Sequence, residues 1–160
     1  MPMKILIIEE NAEFAGACSD ALRTQFPGVR IDMAVSVGRY VNDFADTEYD
    51  ACIMSDRVYG GKSAFSETAP QLKKKFPKTV ILCNSSLKSA EDAEKRAGME
   101  LFARGQDSGI IPFNRQVWAI LEYLCTRMVP KDERKPMPAP KRISVAPAEE
   151  PQRRRSVPPR

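Results

Sequence analysis

Five short apolar runs recur along the first 130 residues, each separated from the next by helical spacing. This alternation restricts the possible folds more than any other feature of the chain. The runs are MKILII (3–8), VRIDMAV (29–35), ACIM (51–54), TVILC (79–83) and ELFA (100–103), the last being the weakest. Between them, NAEFAGACSDALRTQF (11–26) places Ala15, Cys18, Leu22 and Phe26 at steps of three and four, and Pro27-Gly28 ends it. GRYVNDFADT predicts a short helix with Tyr40, Val41 and Phe44 on one side, and a further helix is expected from Ala64 to Lys75. SAEDAEKRAG opens on a start signal, Ser89 with Asp92 three residues later, and stops at Gly98. NRQVWAILEYLCTRMV (114–129) is the strongest helix, with Val117, Leu121, Leu124, Cys125 and Met128 in register. Strands that alternate with helices predict an α/β fold, a five-stranded parallel doubly wound sheet with helices on both faces.

Charge and proline divide the chain. Residues 131–160 hold nine basic and four acidic side chains, a net of +5, so the formal +4 of the whole leaves about −1 for residues 1–130. Eight of the 13 prolines lie at or beyond Pro130, and no aromatic residue does. Such a segment buries too little apolar surface to offset its ordering entropy. The expected organisation is a domain over residues 1–129 and a disordered, basic, Pro-rich tail over 130–160.

Cys18, Cys52, Cys83 and Cys125 stand 34, 31 and 42 residues apart, each in an apolar run, and there is no histidine. This is not metal-ligand spacing, and it fits packed, reduced thiols. Triad and Cys-His catalysis and histidine-ligated zinc are excluded. With no signal peptide and no long apolar run, the chain is expected to be cytoplasmic, without membrane insertion.

In a parallel sheet the ligand crevice lies beyond the carboxyl ends of the strands. Glu9, Glu10, Ser55, Asp56, Asn84 and Ser85 all follow or end strands and are expected to converge there. Paired acids at such a place commonly hold a hard cation. They equally serve as solvated groups or as anions over the first turn of the next helix. GGKS (60–63) lacks the spacing of a phosphate-binding loop.

These residues carry a resemblance. KILIIEEN (4–11), YDACIMSD (49–56), TVILCNSS (79–86) and IIPFN (110–114) together resemble the receiver (CheY-like) domain of bacterial response regulators, over about residues 3–128. The resemblance implies a flavodoxin-like order of strands. It also implies a pocket in which acids bind Mg²⁺ and an aspartate takes a phosphoryl group, with a hydroxyl and a lysine completing the site. In this chain the pocket would comprise Glu9, Glu10, Ser55, Asp56, Asn84, Ser85 and Arg104. Glu9, Glu10 and Asp56 would be the ligands if Mg²⁺ is still bound.

The sequence departs from that pattern in several places at once. Both acids of the pair are glutamates, and Mg²⁺ tolerates little departure from octahedral geometry. Counting from Tyr49-Asp50 puts Ser55 at the acceptor position, whereas counting back from the glycines puts Asp56 there. Ile111 stands in place of the lysine, or Arg104 or Gly105 if the spacing is taken from Gly98. Four departures in one pocket predict a degenerate pseudo-receiver, a non-catalytic adaptor in bacterial signalling or scaffolding that needs no cofactor and is not an enzyme. The alternative is a single-domain response regulator phosphorylated on Asp56 with Mg²⁺.

Output must then be a protein contact, through the face of helix 89–97, strand 100–103 and helix 114–128, through the tail, or both. The tail repeats a motif, KRISVAP (141–147) and RRRSVPP (153–159), which reads as a docking peptide used twice. Arginines before Ser144 and Ser156 also make these serines candidate phosphosites. A plain solubilising segment is the simpler reading of the same residues. The near-neutral domain and the lack of aromatics in the tail weigh against nucleic acid as a partner.

Overall fold

A strand that is aliphatic at every position is satisfied only where both faces of its sheet are covered. The structure is a computed structural model and describes residues 1–55, 62–84, 100–103 and 113–136. Its strands are β1 (Lys4–Ile8), β2 (Arg30–Ala34), β3 (Ala51–Ser55), β4 (Val80–Asn84) and β5 (Glu100–Ala103). They form one sheet in the order β2-β1-β3-β4-β5, and every neighbouring pair is parallel. The helices are α1 (Ala12–Gln25), α2 (Val37–Asp43), α3 (Lys62–Lys75) and α4 (Phe113–Met128). The helix expected at 89–97 lies outside the described residues.

Side chains alternate across a strand, so the sheet sorts each apolar run into two cores. Ile5, Ile7, Ala51, Ile53, Val80 and Leu82 pack with Phe14, Cys18 and Leu22 of α1 and with Val117, Ile120, Leu121 and Leu124 of α4. Leu6, Ile8, Cys52, Met54 and Ile81 turn the other way, onto Tyr40 of α2 and Ala69 and Leu72 of α3. Each large aliphatic so buried contributes about 1.5–3 kcal/mol. Packing on both sides therefore outweighs intrinsic propensity in fixing these five-residue strands.

The helices start and stop where short polar side chains and chain breakers dictate. The Asn11 side chain accepts from Phe14 N–H at 3.1 Å and caps α1, and Ser36 caps α2 in the same way through Arg39 N–H. Past α1 the chain turns at Gly28, whose φ of +84° is the left-handed conformation that glycine adopts without strain. The expected face of α2 needs one correction. Tyr40 is buried and Phe44 packs beside it, but Val41 is 57% exposed. Val37 takes the remaining place in the inward stripe, and a helix of two turns has room for only one such stripe.

Hydrogen bonds stitch the amino edge of the sheet. Asp50 N–H donates to Lys4 O at 2.9 Å, and Lys4 N–H donates to the Asp50 carboxylate at 2.7 Å. Thr79 Oγ1 donates to Tyr49 O at 2.6 Å, and Tyr49 Oη donates to Asp32 at 2.8 Å. At the end of α4 the chain does not simply leave the body. Residues Lys131–Glu133 form a 3₁₀ turn, and the Arg134 guanidinium donates to Val129 O at 2.9 Å and Thr126 O at 2.7 Å. This satisfies carbonyls that a helix end leaves without partners, and it carries described structure to residue 136, past the composition boundary at Val129. A cleft of about 350 Å³ lies between this turn and the amino terminus, lined in part by Met3, Phe26, Val29 and Arg134. No helix among the described residues is long and apolar enough to cross a membrane.

Candidate functional site

All five strands are parallel, so their carboxyl ends share one edge, and the register decides which residues meet there. Ile8 pairs with Met54 and Met54 with Cys83, while Ser55 pairs with Asn84. Continuing the β1–β3 register by one residue places Glu9 across from Ser55. By backbone register, Glu9, Ser55 and Asn84 therefore form one row at the exit of β1, β3 and β4. The same edge is irregular on its far side. Cys83 lies opposite Leu101 but Asn84 lies opposite Ala103, so β5 inserts Phe102 as an extra residue. Such a bulge bends the strand and re-aims the residues beyond it, often next to a functional site.

The two glutamates have different environments. Glu9 N–H donates to Ala34 O at 3.0 Å, which extends the pairing of β1 with β2 by one residue, and Glu9 is only 7% exposed. Its Oε1 accepts from Asn11 N–H at 3.0 Å. The side chain lies beside the amino end of α1, where unsatisfied N–H groups leave partial positive charge. Glu10 is exposed. Side-chain parity accounts for the difference: Glu9 continues the side of Ile5 and Ile7, towards α1, whereas Glu10 follows with the opposite sense.

The charge on Glu9 is felt inside the protein. The Cys18 thiol, on the inner face of α1, is pushed up to about 12, first by burial and second by the nearby Glu9 carboxylate. Cys18, Cys52 and Cys125 are free and buried, as their apolar setting predicts. Burial pushes the Cys52 thiol to about 12 as well, so neither group is a reactive thiolate.

Of the other residues expected in the pocket, Asp56, Ser85 and Arg104 lie outside the described residues, as do Ser144 and Ser156 of the tail. Among the described residues, no three acidic or cysteine groups gather closely enough to hold a cation. One buried carboxylate engaged by a backbone N–H and one exposed carboxylate do not by themselves make a Mg²⁺ site, and no step is derived through that ion. Asn11 is the residue that pocket reasoning misses. An Asn immediately before a helix is a cap signal, and it ties the acidic pair to α1. On α4, Leu121 is buried, whereas Trp118 is half-buried, with an indole N–H shielded from solvent and without an acceptor among the described residues.

Comparison with known proteins places this geometry. No protein-family model matches the chain, and no curated protein sequence matches it. Solved structures do. The response regulator DrrB of Thermotoga maritima, an OmpR/PhoB homologue, superposes with a TM-score of 0.63 at 13% identity, covering 84% of this chain and 55% of that one. The response regulator domain of Thermotoga maritima CheB matches with a TM-score of 0.60 at 18% identity, over 79% of this chain and 96% of that domain. HP1043, an orphan response regulator of H. pylori, matches with a TM-score of 0.57 at 21% identity, over 78% and 95%. The chain thus spans about half the length of DrrB and nearly the whole of the CheB domain. It has the fold of response-regulator receiver domains.

Proposed function

We propose that this chain is a receiver-fold signalling adaptor, whose output is a protein contact rather than phosphoryl relay or turnover of a metabolite. The observation that carries the reading is the state of the acidic pair. Glu9 is buried, with its carboxylate accepting a backbone N–H of the turn into α1, and Glu10 stands in solvent. In this reading a pair that elsewhere serves a cation together is divided here between folding and surface. The contact is made by the face of the expected helix 89–97, β5 and α4, and by the tail motifs around Ser144 and Ser156. Phosphorylation of either serine adds roughly −1.5 to −2 charge beside arginines and weakens attachment to an acidic partner.

A second reading is favoured by a specific observation, the row of Glu9, Ser55 and Asn84 at the strand exits beside a bulge. On that reading the chain is a single-domain response regulator that takes phosphate on Asp56 with Mg²⁺. One experiment separates the two. The purified protein is incubated with millimolar Mg²⁺ and acetyl phosphate or beryllofluoride, and followed by intact mass and amide NMR. The adaptor reading expects unchanged mass and spectra. An added phosphoryl mass that disappears in Asp56→Asn, or saturable shifts centred on Asp56 and Ser85, overturns it.

A further inference from the structure

Strand β2 is an edge of the sheet, because β1 pairs it on one side only. Arg30 N–H donates to Met3 O at 2.8 Å, and Ala34 O accepts from Glu9 N–H at 3.0 Å. The backbone groups of Arg30, Asp32 and Ala34 therefore face β1, and those of Ile31 and Met33 face away from the sheet. Proteins usually blunt such an edge with proline, a bulge or charges along the ladder. This one contains no proline, and its register with β1 is unbroken. Met33 is 47% exposed, and Val35, just past the strand, is 62% exposed. They are two of the four large apolar side chains exposed among the described residues.

We propose that this edge is a self-association surface, on which β2 of a second copy of the chain pairs antiparallel about a twofold axis centred on Met33. The backbone selects the direction. An antiparallel ladder exchanges both hydrogen bonds between the same two residues, so a twofold axis maps it onto itself. A parallel ladder is staggered and lacks that symmetry. An axis perpendicular to the sheet continues it across the interface and keeps α1 on the same face in both copies.

The side chains select the register. Ile31 and Met33 pair with Ile5 and Ile7, on the face that α1 covers. With the axis on Met33, that residue meets its own copy, and Ile31 comes opposite Val35. This face of the interface is then apolar throughout. On the other face Asp32 comes opposite Ala34, and Arg30 opposite Ser36. Moving the axis by one residue sets two Asp32 carboxylates against each other, which is destabilising. Asp32 also accepts from Tyr49 Oη at 2.8 Å and has Arg30 beside it at 3.9 Å, so its charge is balanced within one chain. Residues 1–130 carry about one net negative charge, which sets up little repulsion between two bodies.

Two strands of this length bury an area at or below the low end of specific interfaces, about 1,200 Å² in total, so the pair forms reversibly. β5 is the opposite edge of the sheet, and the dimer leaves it open. A dimer presents that second edge twice, which adds avidity to any contact made there. The inference stands independently of the adaptor reading.

Sedimentation velocity on the full chain from about 10 µM to 1 mM, with amide exchange by NMR at both ends of the range, tests it. The wild type is expected to pass from monomer to dimer, and the amides of Ile31 and Met33 to exchange more slowly at high concentration. Met33→Lys and Met33→Glu each put like charges on the axis and are expected to weaken self-association by at least about tenfold. An equimolar mixture of the two variants is expected to restore the dimer, which also shows that both fold. A wild type that stays monomeric to the top of the range overturns the proposal, as does a dimer that neither variant weakens. Two monomeric variants that form no mixed dimer place the axis elsewhere and overturn it too. Protection of Ile31 and Met33 that does not change with concentration also overturns it, by assigning the edge to other residues of the same chain.

Discussion

Alkaline pH probes the two cores directly, because each buries one thiol against the sheet. Cys18 under α1 and Cys52 on β3 are completely buried, on opposite faces. Both thiols are pushed up to about 12, by burial in each case and at Cys18 also by Glu9. In the unfolded chain a cysteine ionises near its ordinary value of 9.0. Above that pH the unfolded state releases both protons while the folded state keeps them. A folded pKa that is raised contributes stability in full below the unfolded value and loses it as pH rises towards the folded one. The window is therefore about pH 9 to 12. Each thiol costs about 1.4 kcal/mol per pH unit within it, and the pair about 2.7 kcal/mol per unit.

Urea unfolding at half-unit steps between about pH 8 and 12 measures this, applied to the wild type and to a Cys18→Ala, Cys52→Ala variant. Tyrosines and lysines titrate in both proteins, so the difference between the two slopes isolates the thiols. The wild type is expected to lose stability more steeply by about 2.7 kcal/mol per unit above about pH 9.5. Parallel curves refute the reasoning, because they mean that at least one thiol meets solvent or a compensating charge. Glu9→Gln refines the test. With the carboxylate removed, Cys18 ionises at lower pH in the folded state, so the steep region ends earlier. No change in that variant contradicts the placement of Glu9 beside α1.

Two further substitutions test the frame around the site. Thr79→Val keeps the shape of the residue but leaves Tyr49 O without its 2.6 Å donor in a buried turn; a loss of about 1–3 kcal/mol is expected, seen as a lower urea midpoint at constant slope. Pro70 lies inside α3, where it removes an N–H from the ladder, and it is exposed, so Pro70→Ala is expected to stabilise the protein by up to about 3 kcal/mol. A variant no more stable than the wild type, by the same denaturation, means that α3 bends to accommodate the ring.

The strands are legible in the sequence because a sheet covered on both sides shows its strands as unbroken aliphatic runs, and Leu6 and Ile7 serve opposite cores without any polar residue between them. Faces of short helices are less so. Nothing local to Val41 distinguishes it from Tyr40; the outward turn depends on Val37 and Phe44 packing against the same sheet. The fold beyond Val129 depends on one arginine reaching back to carbonyls of α4, which a composition rich in proline and charge conceals. At the candidate site, the row of Glu9, Ser55 and Asn84 follows from inter-strand register, a property of no single segment. The inequality of the two glutamates, by contrast, is available from the sequence. The strand KILII sends Ile5 and Ile7 to one face, and parity sends Glu9 after them and Glu10 away. Two adjacent acids after a buried strand therefore cannot be equivalent, and the first must find a donor on entering the body. Here it finds Asn11 N–H, supplied by the residue that also caps the helix. A double acid at a strand end is thus weak evidence for a cation when an N-cap residue follows it at once, because the helix start then competes for the same carboxylate.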